Sequence, residues 1–297
     1  SIAPFLRPQL LISPFSGGYH MSTPLLRIRS RDALYQKLEV LKTNRNKRHR
    51  YGEFFVEGVR NLREAISGGW EIVSFLYTPE RELSDWAQNL LRTVRVTENI
   101  ALTAPLMDEL SGKTDTSELM AVVRMRENDP DRLLCTDRAP LLALFDRPSN
   151  KGNLGTMLRS MDGLGIDGLI LTGHGVDPYE PEVIGATMGS FFRVPFVEIP
   201  RHDDLAAFFA KIRAAHGDLQ ILGTTAHADK PVWEIDLTRP TVYMIGCETD
   251  GLSEGLRPFC TELTTIPMAE TSSASSFNVS CAATVLFYEA IRQRMTQ

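Results

Sequence analysis

Two rhythms of apolar residues divide the chain. From Arg27 to Arg126 the apolar positions fall in short runs of changing period. Leu34, Leu38 and Leu41 recur at helical spacing in DALYQKLEVLK and predict an amphipathic helix. EFFVEG, EIVSFLYT, TVRV and ELMAVVRM read as strands, and VRNLREAISGG reads as a helix stopped by glycine. A helix from Leu83 to Leu91, and a second in APLMDEL capped by Thr103, complete a small α/β sandwich. From Pro140 the alternation is cleaner. LLALFD, GLILTG, FRVPFVEI, LQILGTT, TVYMIG and ELTTIP are strand-like, with helical patterns between most of them and a last helix from Asn278 to Met295. Strands alternating with helices predict a parallel sheet covered on both faces.

The expected organisation is therefore two α/β domains, 27–126 and 140–297. The charged, proline-containing stretch 127–139 reads as a linker between them. Residues 1–26, whose first twenty are rich in Pro, Ser and Gly, read as a mobile arm or upstream extension.

Composition narrows the class. No apolar run approaches the roughly 18 residues of a membrane span, so no membrane partner is expected. The formal net charge of −5 excludes a polycation, so a nucleic-acid partner must be held by a local patch. KTNRNKRHR supplies one, with Lys42, Arg45, Lys47, Arg48 and Arg50 as candidate RNA contacts; the ordinary alternative is a solvated helix end. The four cysteines form no CxxC pair, and no histidine cluster has zinc spacing. They read as small buried residues of a reducing cytoplasm, with no metal expected.

In a parallel sheet, ligands bind beyond the carboxyl ends of the strands. LLALFD is followed by SNKGNLGTMLRSMDGLG, which has Gly152 and Gly155 but neither the Lys-Ser/Thr of a P-loop nor the third glycine of a dinucleotide fingerprint. That spacing argues against a nicotinamide-dependent oxidoreductase. The stretch offers Asn153 and Arg159 instead. TVYMIG is followed by CETDGLSEGL, and ELTTIP by MAETSSASSFN. Singly, each has an ordinary reading: a turn around Glu248, a flexible loop whose Ser276 caps the last helix, a surface arginine at Arg159.

Together, NKGNLGTMLRS, IGCETDGLSE and IPMAETSSASSFNVSCAATVLFYE resemble, in order and at strand ends, the three motifs of the SpoU/TrmH family of RNA ribose 2′-O-methyltransferases, of the SPOUT class. NRNKRHRYGEFFVEGVRNLREAI is similar to the start of that family's L30e-like substrate-binding domain. The resemblance implies a deep trefoil knot in the C-terminal sheet, S-adenosyl-L-methionine as cofactor, and a homodimer with the last helix in its interface. It implies catalytic roles for Asn153, Arg159, Glu248, Ser276 and Asn278. It places Thr225, Gly246, Gly251, Ile266, Met268, Ser275 and Phe277 around the cofactor, with Gly246 bare so that the adenine can approach closely. The loop before Ser276 is somewhat longer than usual, and Phe277 stands where leucine is common, so the loop's outline is expected to differ. An RNA-binding protein with an inactive methyltransferase fold is the rival reading; loss of Asn153, Arg159 or Asn278 would favour it, and all three are present. A separate N-terminal domain points to ribosomal rather than transfer RNA.

A ribose hydroxyl is a weak acid and a poor nucleophile, so catalysis must position it and help its proton leave. A guanidinium is an uncomfortable base. The expected part of Arg159 is to fork onto a phosphate and stabilise developing alkoxide charge.

Overall fold

The computed structural model describes residues 22–134 and 137–296. Most of the arm and Cys135 lie outside the described residues.

The first domain runs β1 (Leu25–Ile28), α1 (Ala33–Thr43), α2 (Arg45–Tyr51), β2 (Glu53–Glu57), α3 (Val59–Ser67), β3 (Ile72–Tyr77), α4 (Asp85–Thr93), β4 (Glu98–Leu102), α5 (Ala104–Leu110) and β5 (Met120–Arg124). Its sheet has the order β1-β4-β3-β5-β2, with β1, β4 and β3 parallel and β5 antiparallel to both its neighbours. Alternation decides the faces. Phe55 points to one core with Tyr35, Leu38 and Leu41 of α1, while Phe54 and Val56 point to the other.

Three expectations change here. The fold begins at Leu25, inside the stretch assigned to the arm, because β1 pairs with β4. The strand placed at TVRV forms instead at Glu98–Leu102. Helix α4 consumes Thr93, and the apolar run Ile100–Leu102 is what becomes buried. The basic stretch, whose ordinary alternative was a solvated helix end, forms a helix of its own: Asn44 stops α1 and caps α2, its side chain accepting the Lys47 N–H.

The second domain runs β6 (Leu141–Asp146), α6 (Lys151–Leu164), β7 (Gly168–Thr172), α7 (Pro181–Thr187), β8 (Phe196–Glu198), α8 (His202–His216), β9 (Gln220–Thr224), β10 (Thr241–Ile245), β11 (Glu262–Thr264) and α9 (Val279–Met295). All five pairings of its six-stranded sheet are parallel, in the order β11-β9-β10-β6-β7-β8. β8 is shorter than FRVPFVEI suggested, because Pro195 has no N–H for the ladder and Ser190–Phe192 form a 3-10 turn. Leu142 and Leu144 face α8; Leu141, Ala143 and Phe145 face the core shared with α6, α7 and α9.

That second core does not stop at the domain boundary. Phe54 and Trp70 of the first domain pack edge-on and tilted against Tyr179, Phe191 and Phe192 of the second. The linker also joins the fold: Leu133 is buried, and Asn128 exchanges hydrogen bonds with the backbone of Glu198. The two domains are thus welded rather than tethered.

Candidate functional site

The strand order reverses between β6 and β10, so the loops that follow these strands face each other. The loop after β10 carries Glu248. Its carboxylate accepts the Ser149 N–H at 3.0 Å, the Ser149 hydroxyl at 2.7 Å, the Asn150 N–H at 3.2 Å and the Asn153 amide at 3.4 Å. Burial pushes the Glu248 carboxyl up, but the donors from Ser149, the backbone and Asn153 outweigh it and lower the group from the ordinary carboxylate value. It is a fixed anion at neutral pH.

Asn153 passes the connection on. Its Oδ1 accepts the Asn278 amide at 3.1 Å, and Asn278 Oδ1 in turn caps α9 by accepting the N–H groups of Ser280 and Cys281. One chain of hydrogen bonds, Glu248–Asn153–Asn278, ties the three loops together. Ser276 is not part of it and does not cap the helix. Asn278 holds the cap, and buried Ser280 joins the network, its hydroxyl 2.6 Å from Asn278 Oδ1. Ser280 escaped the sequence reading because it sits inside the last helix, where a serine ordinarily means little.

Beside this chain, at the carboxyl ends of β9, β10 and β11, opens a cavity of about 700 Å³. Thr225, Gly246, Gly251, Ile266, Met268, Ser275 and Phe277 all line it, as do Asn153, Glu248, Ser276 and Asn278. Apolar walls from Ile245, Ile266 and Leu286, together with the backbone of three loops, suit a small ligand that is part apolar and part polar. Gly246 is bare for a reason internal to the fold as well. A Cβ there would lie 2.2 Å from the backbone of Gly251 and Leu252, so the glycine serves the crossing of two chain segments. Gly155 likewise serves packing. It lies inside α6, where a Cβ would meet the Cβ of Ala186 on α7 at 2.5 Å.

Arg159 lies on α6, exposed, outside the cavity lining, and with no hydrogen bond or ion pair to a described residue. A second arginine, Arg147, was not foreseen. It follows β6 in the left-handed region at φ 49°, and its guanidinium joins Asp146 at 3.1 Å and the Gly251 carbonyl at 3.0 Å. Buried Asp146 also accepts the Thr172 hydroxyl and the Ser253 N–H, so this pair braces the cavity loop from below.

The basic patch needs correcting. Arg48 is 2% exposed, and its guanidinium meets Asp177 of the second domain at 2.8 and 2.9 Å. It fastens the domains and has no free face for a phosphate. Arg45 donates to the Gly175 carbonyl and lies 3.7 Å from Glu198, and Lys42 donates to the Leu110 carbonyl. Only Lys47 and Arg50 of the five make no side-chain hydrogen bond or ion pair with a described residue. Among the described residues no helix is long and apolar enough to cross a membrane, and no cluster of metal-ligating side chains occurs.

Known proteins share this architecture. The profile of the SpoU rRNA Methylase family matches residues 140–288, and that of the SpoU L30e-like domain matches residues 32–121. A 23S rRNA (uridine(2479)-2′-O)-methyltransferase from Streptomyces viridochromogenes is 44% identical over 271 residues, 91% of this chain and 93% of that protein. A 23S rRNA (guanosine-2′-O-)-methyltransferase, RlmB, from Vibrio parahaemolyticus is 31% identical over 58% of this chain and 67% of that protein. The crystal structure of the SpoU methyltransferase AviRb from Streptomyces viridochromogenes in complex with AdoMet superposes with a TM-score of 0.84 at 43% identity, covering 90% of this chain and 99% of that one. With both profiles matched in order and a relative this similar along nearly its whole length, the chain belongs to the SpoU rRNA methylase family.

Proposed function

We propose that the protein transfers a methyl group from S-adenosyl-L-methionine to a ribose 2′-hydroxyl of 23S ribosomal RNA. The observation that carries this reading is the hydrogen-bonded chain Glu248–Asn153–Asn278 at the edge of a nucleoside-sized cavity. Bound S-adenosyl-L-methionine supplies an electrophilic methyl on its sulfonium. The protein's own residues do the rest. Ionised Glu248 fixes the first loop and the Asn153 amide. Asn153 and Asn278 hold the loops, and with them the ribose, in register. Ser276, a cavity residue with no partner in the Glu248–Asn153–Asn278 chain, is available to the substrate. Arg159, unengaged on α6, forks onto the adjoining phosphate and steadies the alkoxide as the hydroxyl proton passes to an oxygen of that phosphate.

The same reading includes a homodimer and a knotted chain. Cys281, Val285, Tyr288 and Arg292 form a stripe along α9; Val285 and Tyr288 are exposed, and together they suit a two-fold partner. Pairing of Pro231 with Thr265, and packing of α9 on both α6 and the turn Val232–Glu234, agree with a C-terminal segment threaded as the family resemblance implies.

The test is single-turnover methyl transfer from tritiated cofactor, with calorimetry of cofactor binding alongside. Arg159→Ala is expected to bind the cofactor like the wild type and to lose about 10²–10³ in rate. A wild-type rate in that variant removes Arg159 from the chemistry. No transfer by the wild type, with RNA binding intact, would favour the inactive-fold reading.

A further inference from the structure

A second cleft, of about 370 Å³, lies where the two domains and the linker meet. Each segment brings an arginine to it: Arg126 from the end of the first domain, Arg132 from the linker, Arg193 from the second domain. Their engagements differ. Arg193 is neutralised by Glu64. Arg126 is stacked 4.2 Å from the Trp70 ring and donates to the Gly68 carbonyl; Arg132 donates to the Glu127 carbonyl. Neither has a carboxylate partner among the described residues.

The rest of the described lining holds no acid. Tyr179 reaches the cleft with a phenol that makes no hydrogen bond to a described residue, and burial raises its pKa, so it stays a donor. The carboxylates nearest to it in influence, Asp177 and Glu198, are already engaged by Arg48, His49 and Arg45. Burial, and then the nearby charge of Arg132, lower Arg126 from its usual value. Two guanidiniums without a carboxylate partner among the described residues, and a phenol, line the same pocket. In a chain of net charge −5 that arrangement calls for an anion.

We infer that this seam cleft binds a phosphate group, and that its occupant is a backbone phosphate of the RNA substrate, remote from the methylated ribose. The inference rests on the RNA-directed function proposed above. The geometry sets the remoteness. The cofactor cavity lies at the carboxyl ends of β9, β10 and β11, whereas the cleft lies before the first residue of β8, at the opposite edge and opposite end of the sheet. Four strand spacings separate β9 from β8, roughly 20 Å. A phosphate seated there would touch both domains and the linker at once. It would register the RNA against the rigid seam without reading its sequence.

The experiment measures binding of a 23S rRNA fragment to the full-length protein over a series of KCl concentrations, for the wild type, Arg132→Gln, and Arg126→Gln with Arg132→Gln. Because Arg126 also packs on Trp70, the single Arg132→Gln variant keeps the test valid if the double variant folds poorly. The expected result is weaker RNA binding, with the slope of log affinity against log salt shallower by about 0.7–0.9 for one lost phosphate contact, and cofactor affinity unchanged. Inorganic phosphate, followed by phosphorus NMR line width, separates the sources. Binding of phosphate to the wild type, displaced by RNA, supports the proposal. Binding of phosphate with RNA slopes identical in wild type and variants assigns the cleft to a free anion and overturns it, as do identical slopes without phosphate binding. A wild type that binds no RNA overturns the functional reading itself, an outcome distinct from either.

Discussion

Removing one partner of the Arg48–Asp177 pair should be among the most damaging single changes outside the apolar core. Asp177 Oδ2 accepts from Arg48 Nε at 2.9 Å and lies 2.8 Å from its Nη2, while Oδ1 accepts the Tyr179 N–H and faces His49, both at 3.2 Å. Both side chains are almost wholly buried. Arg48→Met leaves a buried carboxylate with only the Oδ1 donors. Asp177→Leu leaves a buried guanidinium with only the carbonyls of Leu41 and Lys42. Stranding one member of a buried pair costs about 3–5 kcal/mol. Each single variant is therefore expected to lower the free energy of unfolding by about that amount in urea titration at neutral pH. The double variant Arg48→Met with Asp177→Leu removes both charges, so it should lose less than the two singles together by roughly 2 kcal/mol or more. Because the aromatic core crosses the seam, fluorescence and circular dichroism should report one transition in the wild type. Losses below about 1 kcal/mol in both singles, the range of solvent-exposed pairs, would refute the claim that this contact welds the domains.

His49 hydrogen-bonds Asp177, which raises its pKa above 6.5 despite partial burial. Its contribution is full below 6.5 and is lost as pH rises through the folded value, so wild-type stability should decline above pH 6.5 more than that of His49→Gln; parallel profiles would contradict this. Gly246→Ala must push apart the Gly246 and Gly251–Leu252 backbones; calorimetry should show lost cofactor affinity, with a stability cost of about 1–3 kcal/mol by urea titration, and unchanged affinity would show that the crossing tolerates a methyl. Lys47→Ala with Arg50→Ala should weaken RNA binding and flatten its salt dependence, whereas Arg48→Ala should act first on stability; the reverse order would return Arg48 to the RNA surface.

What the sequence disclosed and what it hid follow from the range of the interactions. Asn153, Glu248 and Asn278 were brought forward by the resemblance of their three loops to the family motifs, each loop having an ordinary reading on its own, and hydrogen bonds join the three side chains in the fold. Arg48 was misread because its burial depends on Asp177, 129 positions away, and composition registers only a basic run. The use of Gly155 is likewise set at a distance, by Ala186 on a neighbouring helix. The displacement of β4 from TVRV to Glu98–Leu102 was a boundary matter, decided by how far α4 runs and by pairing with β1. The fusion of the two cores through Phe54, Trp70 and Phe192 left no local trace, since each residue also satisfies the periodicity of its own element.

The central claim is that the acceptor atom is a ribose 2′-oxygen positioned by the Asn153–Asn278 network beside Arg159. Its most direct measurement uses a 23S rRNA fragment carrying a single 2′-deoxy substitution at the nucleotide where the wild-type protein places tritium. The account expects labelling of the unmodified RNA at one ribose and none of the deoxy RNA, with binding of both retained. Equal labelling of the two RNAs would put the methyl on a base and contradict the account.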